Sequence, residues 1–313
     1  MLFDLCKTAN YLQVATLVLI ILFSKSSKAQ SNSYIVDSNI LEQPASFKLQ
    51  SISGVAVDKH NNIYVFQRGD RKWNMKYPER EELISYPAIL KHSPQGKLLD
   101  SFGTNMFLMP HMITVDKKGN IWTVDVWLQQ VIKMNKKGSV LLQVGERFTP
   151  GEDSLHFDLP ADVAVLKDNS FYVADGYENS RIIKFKKNGK WDFSWGKKGS
   201  AANEFHVPHS IAVIEKNIYV ADRENSRLQI FDKYGRLVSI WDGKEIVGRL
   251  YALTADKKRN IYLTGTKGTF MLSREFKVLQ SWAYFGHDIA VDSNGVIYIA
   301  HSGTLKRISP IKK

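Results

Sequence analysis

The chain has almost no cysteine. Cys6 is the single one among 313 residues, and it precedes an apolar run near the N terminus. The rest of the chain can therefore form no disulfide, and any metal bound there must use histidine, carboxylate or backbone oxygen. Because Cys6 comes before the apolar run and not after it, Cys6 is not placed as a lipoprotein acceptor.

The chain also lacks a hydrophobic run long enough to cross a membrane comfortably. The apolar run from Tyr11 to Phe23 is shorter than the ~20 residues of a spanning helix, and the small residues Ser27 and Ala29 follow it. We therefore predict a signal peptide at residues 1–29, a single domain at residues 30–313, and a secreted or periplasmic protein without stable membrane insertion. The alternative is an uncleaved N-terminal membrane anchor.

A continuous stripe of one charge sign is missing too. The formal net charge is +12, and it is +10 without residues 1–29, which carry one aspartate and three lysines. The lysines are scattered through turns as pairs such as Lys117-Lys118 and Lys257-Lys258. This spacing indicates a solvated turn surface that favours anionic partners, and we expect no nucleic-acid partner.

What the chain does have is an internal repeat of the form apolar-A-V-D, N-I-Y-V-A-D and R-I-x-K-F. Its runs of Val, Ile, Tyr and Phe alternate with Gly and Asn turns, which predicts three or four antiparallel strands per copy. Radial sheets of this kind form a β-propeller. The six copies begin at Ser53, His111, Ala161, His209, Tyr251 and His287.

The fold class that we predict is all-β, a six-bladed β-propeller closed by an N-terminal strand. The sixth copy stops after about three strands, at Lys313, and we expect residues from Ile40 to Gln50 to supply the missing strand. An open β-solenoid is the alternative, but it needs capping repeats, which the sequence does not show.

Histidine opens every second copy, as His111, His209 and His287. In a six-bladed ring these three side chains would lie about 120° apart and point at one axis. Three imidazoles with an open fourth position are the arrangement of a catalytic zinc site. Each histidine could instead be a hydrogen-bonded channel residue. Asp288, beside His287, could bind a second, harder cation or orient an imidazole.

A second repeat position carries Arg68 in copy one and Arg223 in copy four, on blades that face each other across the ring. Two guanidinium groups at one mouth would bind a carboxylate. Copy three places Tyr177 close to this position, and zinc and the arginines would favour its phenolate, a candidate general base. The alternative is that the arginines form salt bridges in turns and that Tyr177 only stacks.

Two other features favour structural roles. Asp175, Asn179 and Arg181 recur as Asp222, Asn225 and Arg227, in turns where Asp and Asn commonly bond local backbone. Three tryptophans could flank the channel mouth, but aromatic residues more often belong to the core. They are Trp73, Trp127 and Trp191.

Several segments together resemble the peptidyl-α-hydroxyglycine α-amidating lyase family, in the family's order and from about Ser53 to Ala300. The set is more specific than a generic NHL-type propeller. The segments are SGVAVD, FQRGDRKW, MPHMITVD, GEDSLHF, ADGYENSRI, VPHSIAV, ADRENSRLQIF and GHDIAVD.

The resemblance implies a propeller of NHL repeats with catalytic zinc on His111, His209 and His287. It also implies a structural calcium on Asp288 and on the backbone carbonyls of Val55 and Ile113. It places the family's catalytic tyrosine at Tyr177 and its functional arginines at Arg68 and Arg223. The implied reaction cleaves the N–C bond of a peptidyl-α-hydroxyglycine, or of a similar N-acyl carbinolamide, into an amide and glyoxylate.

The sequence departs from the family in three ways. The cysteine pairs of the animal lyases are absent, and Phe285 and Gly286 replace the family's methionine and proline before His287. No monooxygenase domain is fused, so a separate monooxygenase is the expected source of the substrate, a small peptide or an N-acyl hydroxyglycine. Two other functions are alternatives to the lyase: a secreted NHL-type binding module without catalysis, and a calcium-dependent, lactonase-like hydrolase.

Overall fold

A computed structural model describes residues 34–73, 82–301 and 303–311. All helical or extended elements assigned in these residues are β-strands, and none is a helix. The predicted signal peptide, residues 1–29, lies outside the described part of the chain. Among the described residues, no helix is long and apolar enough to cross a membrane.

The strands group into six four-stranded antiparallel sheets and one short parallel pair. In chain order they are β1 Tyr34–Ser38, β2 Ile52–Val57, β3 Ile63–Gln67, β4 Ile89–His92, β5 Leu98–Phe102, β6 Pro110–Val115, β7 Ile121–Asp125, β8 Gln130–Met134, β9 Val140–Val144, β10 Pro160–Val165, β11 Phe171–Asp175, β12 Arg181–Phe185, β13 Trp191–Trp195, β14 Lys197–Lys198, β15 Glu204–Phe205, β16 Pro208–Ile214, β17 Asn217–Asp222, β18 Arg227–Phe231, β19 Leu237–Asp242, β20 Leu250–Ala255, β21 Ile261–Gly265, β22 Gly268–Leu272, β23 Val278–Trp282, β24 Asp288–Val291, β25 Ile297–His301 and β26 Thr304–Pro310.

The sheets close into a ring of six blades. The first strands of successive blades contact one another in the cycle β2, β6, β10, β16, β20, β24 and back to β2. This cycle confirms the predicted six-bladed propeller and excludes the open solenoid, in which the first and last repeats would not touch.

The strand that closes the ring is not the predicted one. Blade six pairs in the order β1-β26-β25-β24, and Tyr34 lies opposite Pro310. The closing strand is therefore Tyr34–Ser38, and the prediction of residues from Ile40 to Gln50 was wrong. Those residues include Pro44, which cannot donate to a strand ladder, and they bury Leu41 and Leu49 between blades six and one.

The core lies between neighbouring blades, because each blade is covered on both faces. Strands β3, β7, β11 and β21 are buried at every residue, which explains why they appear in the sequence as continuous apolar runs. Trp122 and Val124 of blade two pack against Phe171 and Val173 of blade three in this way.

Antiparallel pairing gives the ring two different faces. Each first strand begins at the face that we call the front, so His111 and His209 lie near it. The turns between first and second strands, and between third and fourth strands, lie at the opposite face, which we call the back. The site is therefore built at the front end of the channel.

Candidate metal centre and active site

The structure brings the three predicted histidines together. His111 lies in β6, His209 in β16, and His287 immediately before β24, on alternate blades. Their ligand nitrogens lie within 4.8 Å of one another, and no other group of three or more His, Cys, Asp or Glu side chains with metal-ligand spacing occurs in the described residues.

Each imidazole is oriented by a backbone carbonyl of the next blade. The Nδ1 atom of His111 lies 2.6 Å from the carbonyl oxygen of Ala161. The Nδ1 of His209 lies 2.7 Å from that of Tyr251, and the Nδ1 of His287 lies 2.7 Å from that of Ser53.

These contacts fix the tautomer of the three histidines. A carbonyl only accepts hydrogen bonds, so each Nδ1 carries the proton and each Nε2 presents a lone pair. The orienting residues, Ser53, Ala161 and Tyr251, open the copies that lack histidine. Sequence reasoning aligned these three residues without assigning them a role, and the strict alternation was the available signal.

The three imidazoles are held neutral. Burial, followed by the neighbouring histidines and Arg68, lowers the pKa of His111 well below its usual value. Burial and Arg223 do the same to the pKa of His209, and burial and Arg68 lower the pKa of His287 to about 3. Neutral imidazoles with free Nε2 lone pairs are the form that binds a transition metal, so the residues present fit zinc.

Tyr177 lies directly beside this cluster. Its hydroxyl oxygen is 2.8 Å from Nε2 of His111 and 2.8 Å from Nε2 of His209. One hydroxyl proton can be donated to only one of these two lone pairs, so the second remains unsatisfied by the protein alone. The ring of Tyr177 packs on Trp73, with 4.6 Å between the centroids.

Burial controls the titration of Tyr177. It raises the pKa of the phenol above 10, and the lowering effects of Arg223 and Arg68 are smaller. We expected zinc and the arginines together to favour the phenolate. The arginines alone do not achieve this, because burial outweighs them.

The two predicted arginines both reach the site. Arg68 follows β3 and Arg223 follows β17, and both side chains are buried. The Nη1 atom of Arg223 donates to the Tyr177 hydroxyl at 3.4 Å. Arg68 donates from Nε to the Pro110 carbonyl at 2.7 Å, while its buried Nη2 has no hydrogen-bond partner in the described structure. An unpartnered, buried guanidinium nitrogen is suited to an anionic oxygen.

The front mouth is a cavity of about 440 Å³ with aromatic and cationic walls. Phe285 forms part of the wall and meets the Tyr251 ring edge-on, with 4.8 Å between the centroids. Gly286 is required by close packing, because a Cβ there would lie 2.1 Å from Ile299 Cγ2. Its N–H donates to Thr264 Oγ1 at 2.9 Å, a bond that proline in this position could not make.

The expected calcium ligands lie at the back half of the channel. Asp288, Val55 and Ile113 line one cavity of about 290 Å³. The Asp288 carboxylate accepts the Val55 N–H at 2.9 Å, and Asp162 lies in the same cavity. Sequence reasoning missed Asp162, although it occupies the repeat position of Asp288 on the opposite blade. Two buried carboxylates around one cavity fit a hard cation.

The remaining candidates have mostly structural roles. Arg181 pairs with Asp175 at 2.9 Å and Arg227 pairs with Asp222 at 2.7 Å, as the structural interpretation predicted. Of the three tryptophans, Trp73 lines the mouth, whereas Trp127 is buried and Trp191 lies exposed on β13.

Comparison with known proteins identifies the family. The NHL repeat family matches residues 157–185 and 205–231, within blades three and four. Peptidyl-α-hydroxyglycine α-amidating lyase 2 of Drosophila melanogaster is 30% identical over 81% of this chain and 69% of its own length. A probable lyase of the same name from Caenorhabditis elegans is 32% identical over 81% of this chain and 80% of its own. The chain belongs to the peptidyl-α-hydroxyglycine α-amidating lyase family.

Larger relatives match this chain over only part of their own length. Peptidyl-glycine α-amidating monooxygenase B of Xenopus laevis is 34% identical over 85% of this chain, which spans about a third (34%) of its length. Solved structures share the fold at low identity. A streptogramin B lyase gives a TM-score of 0.61 at 15% identity, covering 89% of this chain and 98% of its own, and a gluconolactonase from Xanthomonas campestris gives 0.63 at 11%, covering 84% and 87%.

Proposed function

We propose that this protein is a zinc-dependent carbon–nitrogen lyase that converts a peptidyl-α-hydroxyglycine, or a similar N-acyl carbinolamide, into an amide and glyoxylate. The observation that carries the proposal is the position of Tyr177. Its hydroxyl lies within hydrogen-bond distance of His111 and His209 and of the Arg223 guanidinium. The family relatives support a lyase, and the geometry supports these roles.

The reaction needs three events at one carbon. The substrate hydroxyl loses its proton, the C–N bonding pair moves to the nitrogen, and the nitrogen gains a proton. No water is consumed, so the products are one amide and one aldehyde. A single group placed beside the hydroxyl can take the first proton and return it to the nitrogen.

Tyr177 is placed to be that group. It is buried and lines the mouth cavity, Arg223 donates to its hydroxyl, and the charges of Arg223 and Arg68 both act to lower its pKa. A zinc ion held by His111, His209 and His287 would supply Lewis-acid polarisation of the substrate's oxygens and favour the tyrosinate. The packing of Trp73 on the Tyr177 ring holds the hydroxyl in place.

Arg68 and Arg223 bind the carboxylate in this proposal. The free Nη2 of Arg68 provides a donor on one side of the cavity, and Arg223 provides a second on the facing blade. A carboxylate between them would be fixed next to Tyr177, and the charge that develops during C–N cleavage would be stabilised there. A structural calcium on Asp288 and on the backbone of Val55 and Ile113 would brace the back of the channel.

We further propose where the protein acts and which reaction supplies its substrate. The N-terminal segment favours a secreted or periplasmic protein, and the substrate must come from a reaction that hydroxylates the α-carbon of a C-terminal glycine. A separate monooxygenase would provide it.

Product stoichiometry tests the proposed function. A purified α-hydroxyglycine peptide is incubated with the protein, and the peptide amide and glyoxylate are measured by mass spectrometry and by a coupled assay. We expect equal amounts of both. A calcium-dependent lactonase would instead hydrolyse a lactone and leave this substrate unchanged, and a binding module would leave both unchanged.

A further inference from the structure

The two faces of the propeller differ strongly in charge. The hairpin turns at the back face carry eighteen basic and eight acidic residues, a net of +10. The other described connections, with the short β14–β15 pair counted among them, carry eleven basic and eleven acidic residues. The basic residues of the back face are Lys59, Lys97, Lys117, Lys118, Lys136, Lys137, Lys167, Lys186, Lys187, Lys190, Lys216, Lys233, Arg236, Lys257, Lys258, Arg259, Arg274 and Lys277.

The basic side chains of this face point to solvent, whereas several of its acidic ones serve the turns. All eighteen basic residues are exposed. Asp116 is only partly exposed and accepts the backbone N–H groups of Lys118 and Asn120, both at 2.9 Å. Asp58 caps its own turn in the same way. The face therefore presents mainly positive charge to a partner.

Exposed apolar side chains surround the basic turns. In five blades the fourth strand has an exposed apolar residue within two residues of the turn that leads into it. Between 42% and 55% of each of these residues is exposed. They are Leu99, Val140, Trp191, Val238 and Val278. Lysine next to exposed apolar residues is the pattern of an interface with lipid, where the stem lies against apolar groups and the ammonium meets the headgroup.

An exposed tyrosine lies at the tip of one of these turns. Tyr234 is 58% exposed, and the cations of Lys233 and Arg236 lie 4.9 and 5.4 Å from its ring centroid. Tyrosine with neighbouring cations is typical of the headgroup level of a bilayer, because its ring is apolar and its hydroxyl is polar.

The chain enters the propeller at the same face. Tyr34, at the start of β1, lines a groove together with Lys257 and Lys258. Tyr34 therefore places a further aromatic side chain among the basic residues of the back face.

We propose that the back face docks reversibly on a bilayer that contains anionic phospholipid, which leaves the front mouth facing away from the lipid. The charge alone would fit any polyanion, but the exposed apolar ring and the exposed Tyr234 at a turn tip favour a membrane over nucleic acid. This inference does not depend on the proposed lyase activity.

Vesicle binding tests the proposal with two variants of equal charge. The protein is prepared from residue 30, because the described strands complete all six blades from residue 34 onward and residues 34–313 form a compact unit. The back-face variant is K117E/K118E/K257E/K258E. The front-face control is K197E/K198E/K244E/K267E, which changes four exposed lysines outside the back-face turns. Circular dichroism and thermal unfolding check that all three proteins are folded.

Co-sedimentation is measured with phosphatidylglycerol-containing and pure phosphatidylcholine vesicles at low and physiological salt. We expect binding only to the anionic vesicles, weakened by salt, with about a 100-fold loss in the back-face variant and less than about fivefold in the control. Substituting Tyr234→Ser is expected to weaken binding several-fold with little change in its salt dependence. Equal losses in both charge variants, equal binding to neutral vesicles, or tighter binding to duplex DNA than to vesicles would overturn the proposal.

Discussion

The Nδ1 atom of His209 lies 2.7 Å from the carbonyl oxygen of Tyr251, the residue at the same repeat position one blade further on. The same relationship holds for His111 with Ala161 and for His287 with Ser53. The backbone of the three blades without histidine thus orients the imidazoles of the three blades that have it. The geometry of the candidate metal site is thus set by all six blades of the ring.

Removing one imidazole is expected to abolish metal binding. His209→Ala leaves two ligands, so bound zinc after dialysis should fall from about one ion per chain to near zero, with at least a 100-fold loss in affinity. Elemental analysis measures this. The matched control is His60→Ala, an exposed histidine in a back-face turn, which should keep its zinc. Full zinc occupancy together with full activity in His209→Ala would refute the three-histidine site.

Tyr177→Phe tests the base without emptying the site. The phenyl ring keeps its packing on Trp73, so stability should change little, whereas loss of the hydroxyl should lower kcat by about 10²- to 10⁴-fold. Single-turnover glyoxylate release gives the rate, and thermal unfolding gives the control. Wild-type kcat in this variant would remove Tyr177 from the chemistry.

The arginines can be tested through the substrate. Arg68→Gln and Arg223→Gln should each lower kcat/KM for a free α-hydroxyglycine carboxylate by about 100-fold. The same variants should change kcat/KM for the corresponding carboxamide by much less, because that group carries no charge. A uniform loss on both substrates would show that the arginines act on folding or on Tyr177, and not on the carboxylate.

A buried histidine outside the site sets a pH dependence of stability. Burial lowers the pKa of His92, so between the lowered value and about 6.5 the unfolded chain binds more protons than the folded one. The stability contribution of His92 is therefore complete above about pH 6.5 and is lost as the pH falls below it.

His92→Gln should flatten this loss, because the glutamine amide can still donate to the Glu42 carbonyl, which the imidazole Nε2 now contacts at 2.9 Å. Chemical denaturation at several pH values between 7 and 5 measures the free energy of unfolding of the variant and of the wild type. The site histidines contribute equally to both proteins, so their effect cancels in the difference. His60→Gln is the control and should follow the wild-type curve. A His92→Gln curve parallel to wild type would contradict the assignment.

Sequence reasoning predicted the fold and the grouping of the candidate site residues, because the repeat converts spacing into geometry. Residues at one repeat position share a radius and a height in the ring, so His111, His209 and His287 had to converge. Arg68 and Arg223 followed by the same logic.

The wrong closing strand and the burial of Tyr177 both belong to parts of the chain about which the repeat gives no information. The closing strand lies outside the six copies, so nothing in the pattern distinguished Tyr34–Ser38 from the segment after it. The burial that raises the pKa of Tyr177 comes from neighbouring loops, such as the one carrying Trp73, which is longer than the corresponding connection in every other blade. Asp162 was within reach of the alignment and was overlooked, because its copy opens with alanine.

The most direct test is a zinc titration of the chelated protein, followed by the rate of glyoxylate release from an α-hydroxyglycine peptide. We predict no rate above the uncatalysed reaction without zinc, a linear rise, and a plateau at one zinc ion per chain. Full activity in the metal-free protein, or no activity at any zinc concentration with the site occupied, would contradict the account.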